Sequence, residues 1–134
     1  LQVHGCDVKT AYAGQRTAIN LSNIKVSEIQ RGDVIAQTGS VEESMMIDVN
    51  ISLVEHCKKS LKHWDRIRIF HGTKQILCRI VPLNEDEIQY GESGYAQLRL
   101  EEKIVAKKGD RFIIRSYSPM DTIGGGVIKY MMKV

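Results

Sequence analysis

The sequence predicts an all-β protein organised as a barrel, on the evidence of its hydrophobic periodicity and its turn residues. Apolar residues alternate with polar ones over residues 47–53, 66–69, 96–101 and 111–115. A period of two places one set of side chains on each face of a strand, so each segment should have one buried and one solvated face. Many short strands of this kind are typical of a closed or nearly closed sheet.

Glycine-containing turns separate these segments at close intervals, as a barrel requires. The turns are Gly32-Asp33, Gly72-Thr73, Gly91-Glu92-Ser93-Gly94 and Gly109-Asp110. Helical periodicity is confined to residues 54–64, where we expect a loop with one helical turn. Gly124-Gly125-Gly126 precedes an apolar run, so it should open a strand and mark a bulge or a close approach of two backbones.

Gly39-Ser40 indicates a boundary in the 134-residue chain. We expect a first piece over residues 1–38, a linker over 39–45 and a complete domain over 46–134. The first piece has about 38 residues, too few to bury a sufficient core alone.

Composition argues against several classes of protein. No apolar run approaches the roughly 18 residues that a membrane span needs, so we expect a soluble cytoplasmic chain without a membrane partner. Cys6, Cys57 and Cys78 are an odd number at long spacings, which favours reduced, buried thiols. His56, Cys57, His63 and His71 crowd one stretch but lack the paired spacing of a metal site, so we predict none.

Sequence motifs for catalysis are missing. The Gly-x-x-x-x-Gly-Lys-Ser/Thr loop that wraps nucleotide phosphates does not occur, and no spacing singles out a catalytic triad. We therefore expect no enzyme activity and no cofactor in this chain.

Charge is unevenly distributed, although the formal net charge is only +3. Residues 56–74 are basic, residues 85–102 are acidic, and residues 103–115 are basic again. This pattern predicts opposed charged faces. A nucleic-acid partner and an ordinary solvated surface both remain compatible with it.

Three segments resemble the selenocysteine-specific elongation factors, relatives of elongation factor Tu. "AYAGQRTAINLSNIKVSEIQRGDVI" is similar to the end of that family's second domain. "LKHWDRIRIFHGTKQILCRI" resembles the opening hairpin of the third domain, apart from the bulk of Trp64 and Phe70. "GESGYAQLRLEEKIVAKKGDRFIIRSYSPMDTIGGG" is similar to the closing strands of the third domain.

The resemblance implies antiparallel barrels of the elongation factor Tu domain II/III type, the first one partial. Residues 1–38 would be the later part of the second barrel, and 46–134 the whole third barrel. The chain would then be a fragment of a GTPase whose GTP and Mg²⁺ are bound by an absent domain. A hairpin in messenger RNA would be recognised through absent carboxy-terminal domains.

The resemblance also implies partners and site residues. The partners are selenocysteinyl-tRNA, the ribosome and the factor's own GTPase domain. The tRNA-binding candidates are Arg66, Arg68, His71, Lys74, Ser116 and Tyr117. Both Arg66 and Arg68 fall on the polar side of their strand and are expected to point to water.

Two further assignments complete the expected site. Arg16 would line the aminoacyl pocket, although pairing with a carboxylate such as Asp33 is an equal alternative. Gly124, Gly125 and Gly126 would dock on the GTPase domain. The alternative function is a β-barrel docking module of another translational GTPase related to elongation factor Tu, with no direct role in selenocysteine incorporation.

Overall fold

The computed structural model describes residues 1–55, 60–118 and 120–132, and in these the chain forms eleven β-strands and one short 3-10 helix. The strands are β1 (Gln2–Val3), β2 (Cys6–Asp7), β3 (Thr17–Ala18), β4 (Glu42–Leu53), β5 (Leu61–Lys62), β6 (Arg66–His71), β7 (Lys74–Pro82), β8 (Glu87–Ile88), β9 (Ser93–Ala106), β10 (Arg111–Ser116) and β11 (Thr122–Met131). The 3-10 helix spans Val26–Glu28. The all-β prediction is therefore confirmed.

The chain divides into two units, Leu1–Gln30 and Arg31–Val134. In the first unit, β1 pairs antiparallel with both β2 and β3. All residues of this unit are described, and among them only Val3 is buried. The unit therefore has almost no core of its own.

The second unit contains a closed six-stranded antiparallel barrel with the strand order β10, β11, β4, β9, β7, β6. The pairing of β6 with β10 closes the circle and leaves these strands without a free edge. The predicted period of two fills the interior, because alternate residues of the strands point inward except where a bulge shifts the register. Fully buried examples are Ile47, Val49, Ile51, Ile67, Ile69, Ile76, Cys78, Ile80, Leu98 and Ile114.

The first barrel strand begins earlier than the sequence predicted. Strand β4 starts at Glu42, inside the segment 39–45 that we expected to be a linker. A register shift between Ser44 and Met46 interrupts the alternation that marks the rest of the strand. Ser44 is fully buried there, and its hydroxyl oxygen lies 2.7 Å from the backbone oxygens of Met46 and Met132, to either of which it can donate, and accepts from the Met46 N–H. Because a buried serine at a bulge breaks the alternation of apolar and polar residues, sequence periodicity does not identify this part of the strand.

The segment 54–64, where we expected a loop with one helical turn, contains strand β5 in its described part, and residues 56–59 of that expectation lie outside the described residues. Strand β5 pairs antiparallel with β8, beside the barrel. His56, Cys57, Lys58 and Lys59 lie outside the described residues, as do the parts of the basic segment and of the histidine and cysteine cluster that they formed. Among the described residues, no helix has the length and hydropathy that crossing a membrane requires.

The cysteines differ from each other in exposure. Cys78 is fully buried, and burial raises the pKa of its thiol to about 12, with a smaller contribution from the negative charge of Glu101. Cys6 is exposed, so the expectation of a buried thiol was wrong at that position. The reason is that β2 belongs to the small sheet of the first unit, which buries almost nothing.

The glycine run is a close approach of neighbouring strands, as predicted. Gly126 lies between Phe112 on β10 and Ile51 on β4. A Cβ at Gly126 would come within 2.6 Å of the Phe112 ring and 2.7 Å of the Asn50 carbonyl oxygen. The neighbouring Gly125 faces outward, where a Cβ would be 3.0 Å from the Phe112 carbonyl oxygen.

We predict that Gly126→Ala lowers the free energy of unfolding by about 1–3 kcal/mol, because the added methyl group overpacks the barrel wall. Chemical denaturation of the variant measures this loss. Gly125→Ala is the matched control and should lose clearly less, since its methyl group faces the outside. Equal losses for the two variants would contradict this explanation of the glycine run.

Candidate nucleic-acid interface

Five arginines project from the outer surface of four adjacent barrel strands, and we call this surface the arginine face. They are Arg66, Arg68, Arg79, Arg99 and Arg115. Arg68, Arg79 and Arg99 lie between buried residues of their strands, and Arg66 and Arg115 each lie next to one, so alternation sends the side chains outward.

The pairing of the strands places these arginines opposite one another. Arg66 is the partner of Arg79, and Arg79 is in turn the partner of Arg99. Arg115 is the partner of Arg68. Like charges on directly opposed residues destabilise a sheet. The barrel therefore concentrates positive charge at a cost to its own stability, which is typical of a surface that binds an anion.

Aromatic rings order the guanidinium groups. The ring of Tyr117 has the guanidinium carbons of Arg66 and Arg68 at 4.6 and 5.0 Å from its centroid. The corresponding distance is 5.8 Å from Arg115 to Phe70. Such cation–π contacts contribute about 0.5–1 kcal/mol each at exposed sites. They offset part of the repulsion and hold the guanidinium groups at fixed positions.

Glu101 on β9 forms an ion pair with Arg66 and also lies near the positive charge of Arg79. Its carboxylate accepts hydrogen bonds from Nε and Nη2 of Arg66 at 2.8 and 2.7 Å. This bidentate contact raises the pKa of Arg66 and lowers the pKa of Glu101. The contact thus favours the ionised form of both groups, and Arg66 is the best-neutralised member of the arginine face.

The other four arginines form no ion pair with any carboxylate in the described parts of the chain. Arg79 donates to the Trp64 carbonyl oxygen at 3.2 Å, and Arg115 donates to the Met120 carbonyl oxygen at 3.3 Å. The Nε atoms of Arg68 and Arg115 are buried and meet no acceptor among the described residues. These guanidinium groups keep the charge and the donors that an anionic ligand needs.

The structure brings together three of the six residues predicted to bind tRNA: Arg66, Arg68 and Tyr117. The expectation that both arginines point to water was wrong in part, because both are half-buried. Tyr117 covers them and Glu101 holds Arg66. Ser116 instead closes the loop before β11, where its backbone N–H donates to the Asp121 carbonyl oxygen and its hydroxyl accepts from the Asp121 N–H.

His71 and Lys74 lie at the opposite end of the β6–β7 hairpin from Arg66. Five residues of strand separate Arg66 from His71, a distance of about 16 Å at about 3.3 Å per residue. His71 Nε2 is 2.9 Å from Asp110, and Lys74 Nζ is 3.1 Å from Glu102. These two residues do not belong to the arginine face.

The expected separation into opposed charged faces was wrong for Glu101 and Glu102. Both lie in the acidic stretch of the sequence, yet they pair with Arg66 and Lys74 of the basic stretch. The physical reason is the pairing of β9 with β7, which brings the two stretches side by side.

The remaining predicted residues occupy other places. Arg16 belongs to the first unit, where it is exposed and follows the hydrogen-bonded turn from Tyr12 to Gln15. Gly125 and Gly126 line an open groove of about 640 Å³ on the outer surface of β4, β10 and β11. Ile113, 52% exposed, adds an apolar side chain to this groove.

Arg79 and Arg99 were missed as site residues. Arg79 interrupts an otherwise apolar segment, and Arg99 follows the alternation of β9, so each carried a signal that it faces outward. Nothing in the sequence tells that β7 lies between β6 and β9. Without this strand order, Arg66, Arg79 and Arg99 cannot be assigned to neighbouring positions across the sheet.

Comparison with known proteins gives the family. The family model described as "Selenocysteine-specific elongation factor, beta-barrel domain" matches residues 47–131, which is more than half of the chain. The chain belongs to this family. The resemblance noted in the sequence is thus confirmed for the complete barrel, which is a selenocysteine-factor barrel.

Individual relatives agree with this assignment. A selenocysteine-specific elongation factor of Desulfomicrobium baculatum is 37% identical over 128 residues, which are 96% of this chain and 20% of the relative. A selenocysteine-specific elongation factor of Methanocaldococcus jannaschii is 26% identical over 81% of this chain and 26% of its own length. An uncharacterized protein of the same archaeon is 26% identical over 85% of the chain. The chain spans about a fifth of the length of the Desulfomicrobium baculatum factor.

Proposed function

We propose that this chain is the tRNA-binding and domain-docking part of a GTP-dependent factor that delivers selenocysteinyl-tRNA to the ribosome in the cytoplasm. The observation that carries the proposal is the arginine face, where five arginines meet on one side of the barrel and four have no carboxylate partner among the described residues. Membership in the selenocysteine-factor family supports tRNA as the anion.

The chemistry of the arginine face suits the phosphate backbone of a tRNA acceptor and T arm. A guanidinium is planar and always charged, and it can donate two parallel hydrogen bonds to one phosphate. Folded RNA helices are recognised mainly by shape and phosphate contacts, without reading of the base sequence. Binding a polyanion would also relieve the repulsion between the opposed arginines.

Other predicted residues take secondary parts in this proposal. Tyr117 orders the two arginines of β6, and Ser116 fixes the loop that carries Tyr117. His71 and Lys74 would contact RNA only where it extends along the hairpin. Binding and hydrolysis of GTP with Mg²⁺ would belong to the factor's GTPase domain, and recognition of the messenger RNA hairpin to its carboxy-terminal domains.

A second candidate function is docking on the GTPase domain through Gly124, Gly125 and Gly126. The observation that favours it is the open groove beside these glycines, which presents flat backbone and the exposed Ile113 side chain. The groove lies mainly on β4, β10 and β11 and is also lined by Phe70 of β6, whereas the arginine face lies on β6, β7, β9 and β10. One barrel could therefore bind tRNA and a protein domain at the same time.

We predict that Arg66→Glu combined with Arg68→Glu weakens tRNA binding by about a hundredfold without unfolding the barrel. Loss of the Arg68 contact alone is worth about 1.5–3 kcal/mol, which is about tenfold to a hundredfold in affinity since about 1.4 kcal/mol is tenfold, and the two introduced carboxylates add repulsion of the phosphates. Filter binding with the full-length factor measures the change, and thermal unfolding checks the fold. Lys103→Glu combined with Lys108→Glu gives the same change in net charge outside both the arginine face and the docking groove.

Glu101→Gln supplies a control of opposite sign in the same assay. It removes the carboxylate that neutralises Arg66, so it should tighten binding several-fold. If charge reversal of Arg66 and Arg68 weakens binding no more than the lysine pair does, the arginine face is only a solvated surface. The chain would then act chiefly through the docking groove.

Arg16 provides a separate test of selenocysteine specificity. A selenol is far more acidic than a serine hydroxyl, so the esterified selenocysteine is an anion at neutral pH whereas serine is neutral. An arginine in a pocket shielded from water should favour the anion by roughly 1.5–3 kcal/mol. In the full-length factor, Arg16→Ala should therefore weaken binding of selenocysteinyl-tRNA about tenfold to a hundredfold and leave seryl-tRNA nearly unchanged. Equal losses would make Arg16 a structural residue.

A further inference from the structure

Three turns of the barrel unit have the same hydrogen-bond pattern. In each, the fourth residue's N–H donates to the first residue's carbonyl oxygen. The third residue's N–H donates to a residue of a neighbouring segment, whose own N–H donates back to the fourth residue's carbonyl oxygen. This is the pattern of a β-bulge that needs a left-handed third residue. The turns and their third residues are Gln89–Glu92 with Gly91, Lys107–Asp110 with Gly109, and Lys62–Asp65 with Trp64.

Trp64 stands where the other two turns have glycine. The φ angles of Gly91, Gly109 and Trp64 are 79°, 93° and 72°. Glycine adopts this conformation readily, whereas a bulky side chain in it is strained. Trp64 is 45% exposed, so burial of its side chain offsets only part of the free energy that the strained backbone costs. A strained backbone conformation that the surrounding structure holds in place is typical of functional sites.

The surroundings of Trp64 connect it to the arginine face. Arg79 donates to its carbonyl oxygen, and the guanidinium carbon of Arg99 lies 5.5 Å from the indole centroid. Neither arginine forms an ion pair with a carboxylate in the described residues. The exposed indole therefore lies beside two arginines of the arginine face. Arg66 is the strand partner of one of them, Arg79.

We propose that Trp64 is a base-stacking residue, on which an unpaired nucleotide of RNA stacks while Arg79 and Arg99 bind the flanking phosphates. This inference rests on the proposed RNA-binding function and adds the class of RNA that the site selects. Bases inside a duplex are already stacked, whereas an unpaired base can lie on an aromatic side chain. An acidic peptide would satisfy the arginines but would make no use of a flat exposed ring.

Trp64 is the only tryptophan of the chain, so its fluorescence reports directly on stacking. The probes for the 134-residue chain are a fully paired blunt RNA hairpin, the same hairpin with a few unpaired 3′ nucleotides, and a polyglutamate peptide of matched charge. The extended hairpin should bind several-fold tighter than the blunt one and should quench Trp64 emission. The blunt hairpin should bind through phosphates with little quenching.

Variants separate stacking from packing. Trp64→Gly gives this turn the residue found in the other two, so its thermal stability should be unchanged or raised. Fluorescence anisotropy of labelled RNA should show that it loses the preference for the extended hairpin, whereas Trp64→Phe keeps most of it. Tyr130→Ala is the matched control, since Tyr130 is 60% exposed on β11 outside the arginine face.

Four results would overturn the proposal. Equal binding of both hairpins without quenching would show that Trp64 does not stack on a base. If Arg66→Glu and Arg68→Glu still weakened the binding of both hairpins, the proposed RNA-binding function would stand. Equal quenching by polyglutamate would identify an acidic protein as the partner. A clearly less stable Trp64→Gly chain would make the indole a packing residue. Failure of every RNA to bind would refute the proposed function itself.

Discussion

The pairing of β6 with β10 closes the barrel, and the candidate site depends on this pairing. It places Arg115 opposite Arg68 and carries the following loop, with Tyr117, over the guanidinium groups of β6. The next pairings around the barrel add Arg79 and Arg99 to the same row as Arg66. A sheet that opened between β6 and β10 would lose the cluster even if every individual strand survived.

The arginine face lowers the local stability of the barrel, and burial of the hydrophobic interior compensates for this loss. Opposed like charges lower the stability of the sheet, and Trp64 adds backbone strain at the edge of the same surface. Cation–π contacts and the Arg66–Glu101 pair offset part of the repulsion and leave four arginines without a carboxylate partner in the described chain. The barrel wall around β11 has a different character, because glycines there allow β10, β11 and β4 to approach closely and leave an open, mainly apolar groove.

Sequence periodicity predicted the strands and their buried faces well, since alternation of apolar residues is a local signal. It failed where the signal was not local. Buried Ser44 hid the start of β4, and the order of strands decided that Glu101 meets Arg66 and that Arg79 joins the arginine face. The family resemblance located Arg66, Arg68 and Tyr117 together but grouped them with His71 and Lys74, whose ion pairs lie at the far end of the hairpin. The strain at Trp64 could be recognised only from backbone angles.

If the arginine face binds RNA through its phosphates, the affinity must fall as the salt concentration rises, and a salt titration tests this most directly. Each neutralised phosphate lowers the slope of log K against log salt concentration by about 0.7–0.9. If the four arginines without carboxylate partners each engage one phosphate, the affinity of the 134-residue chain for a tRNA acceptor–T-arm hairpin should fall with a slope of about −2.8 to −3.6. A slope near zero would contradict the account, because it would mean that the arginines do not contact the RNA backbone.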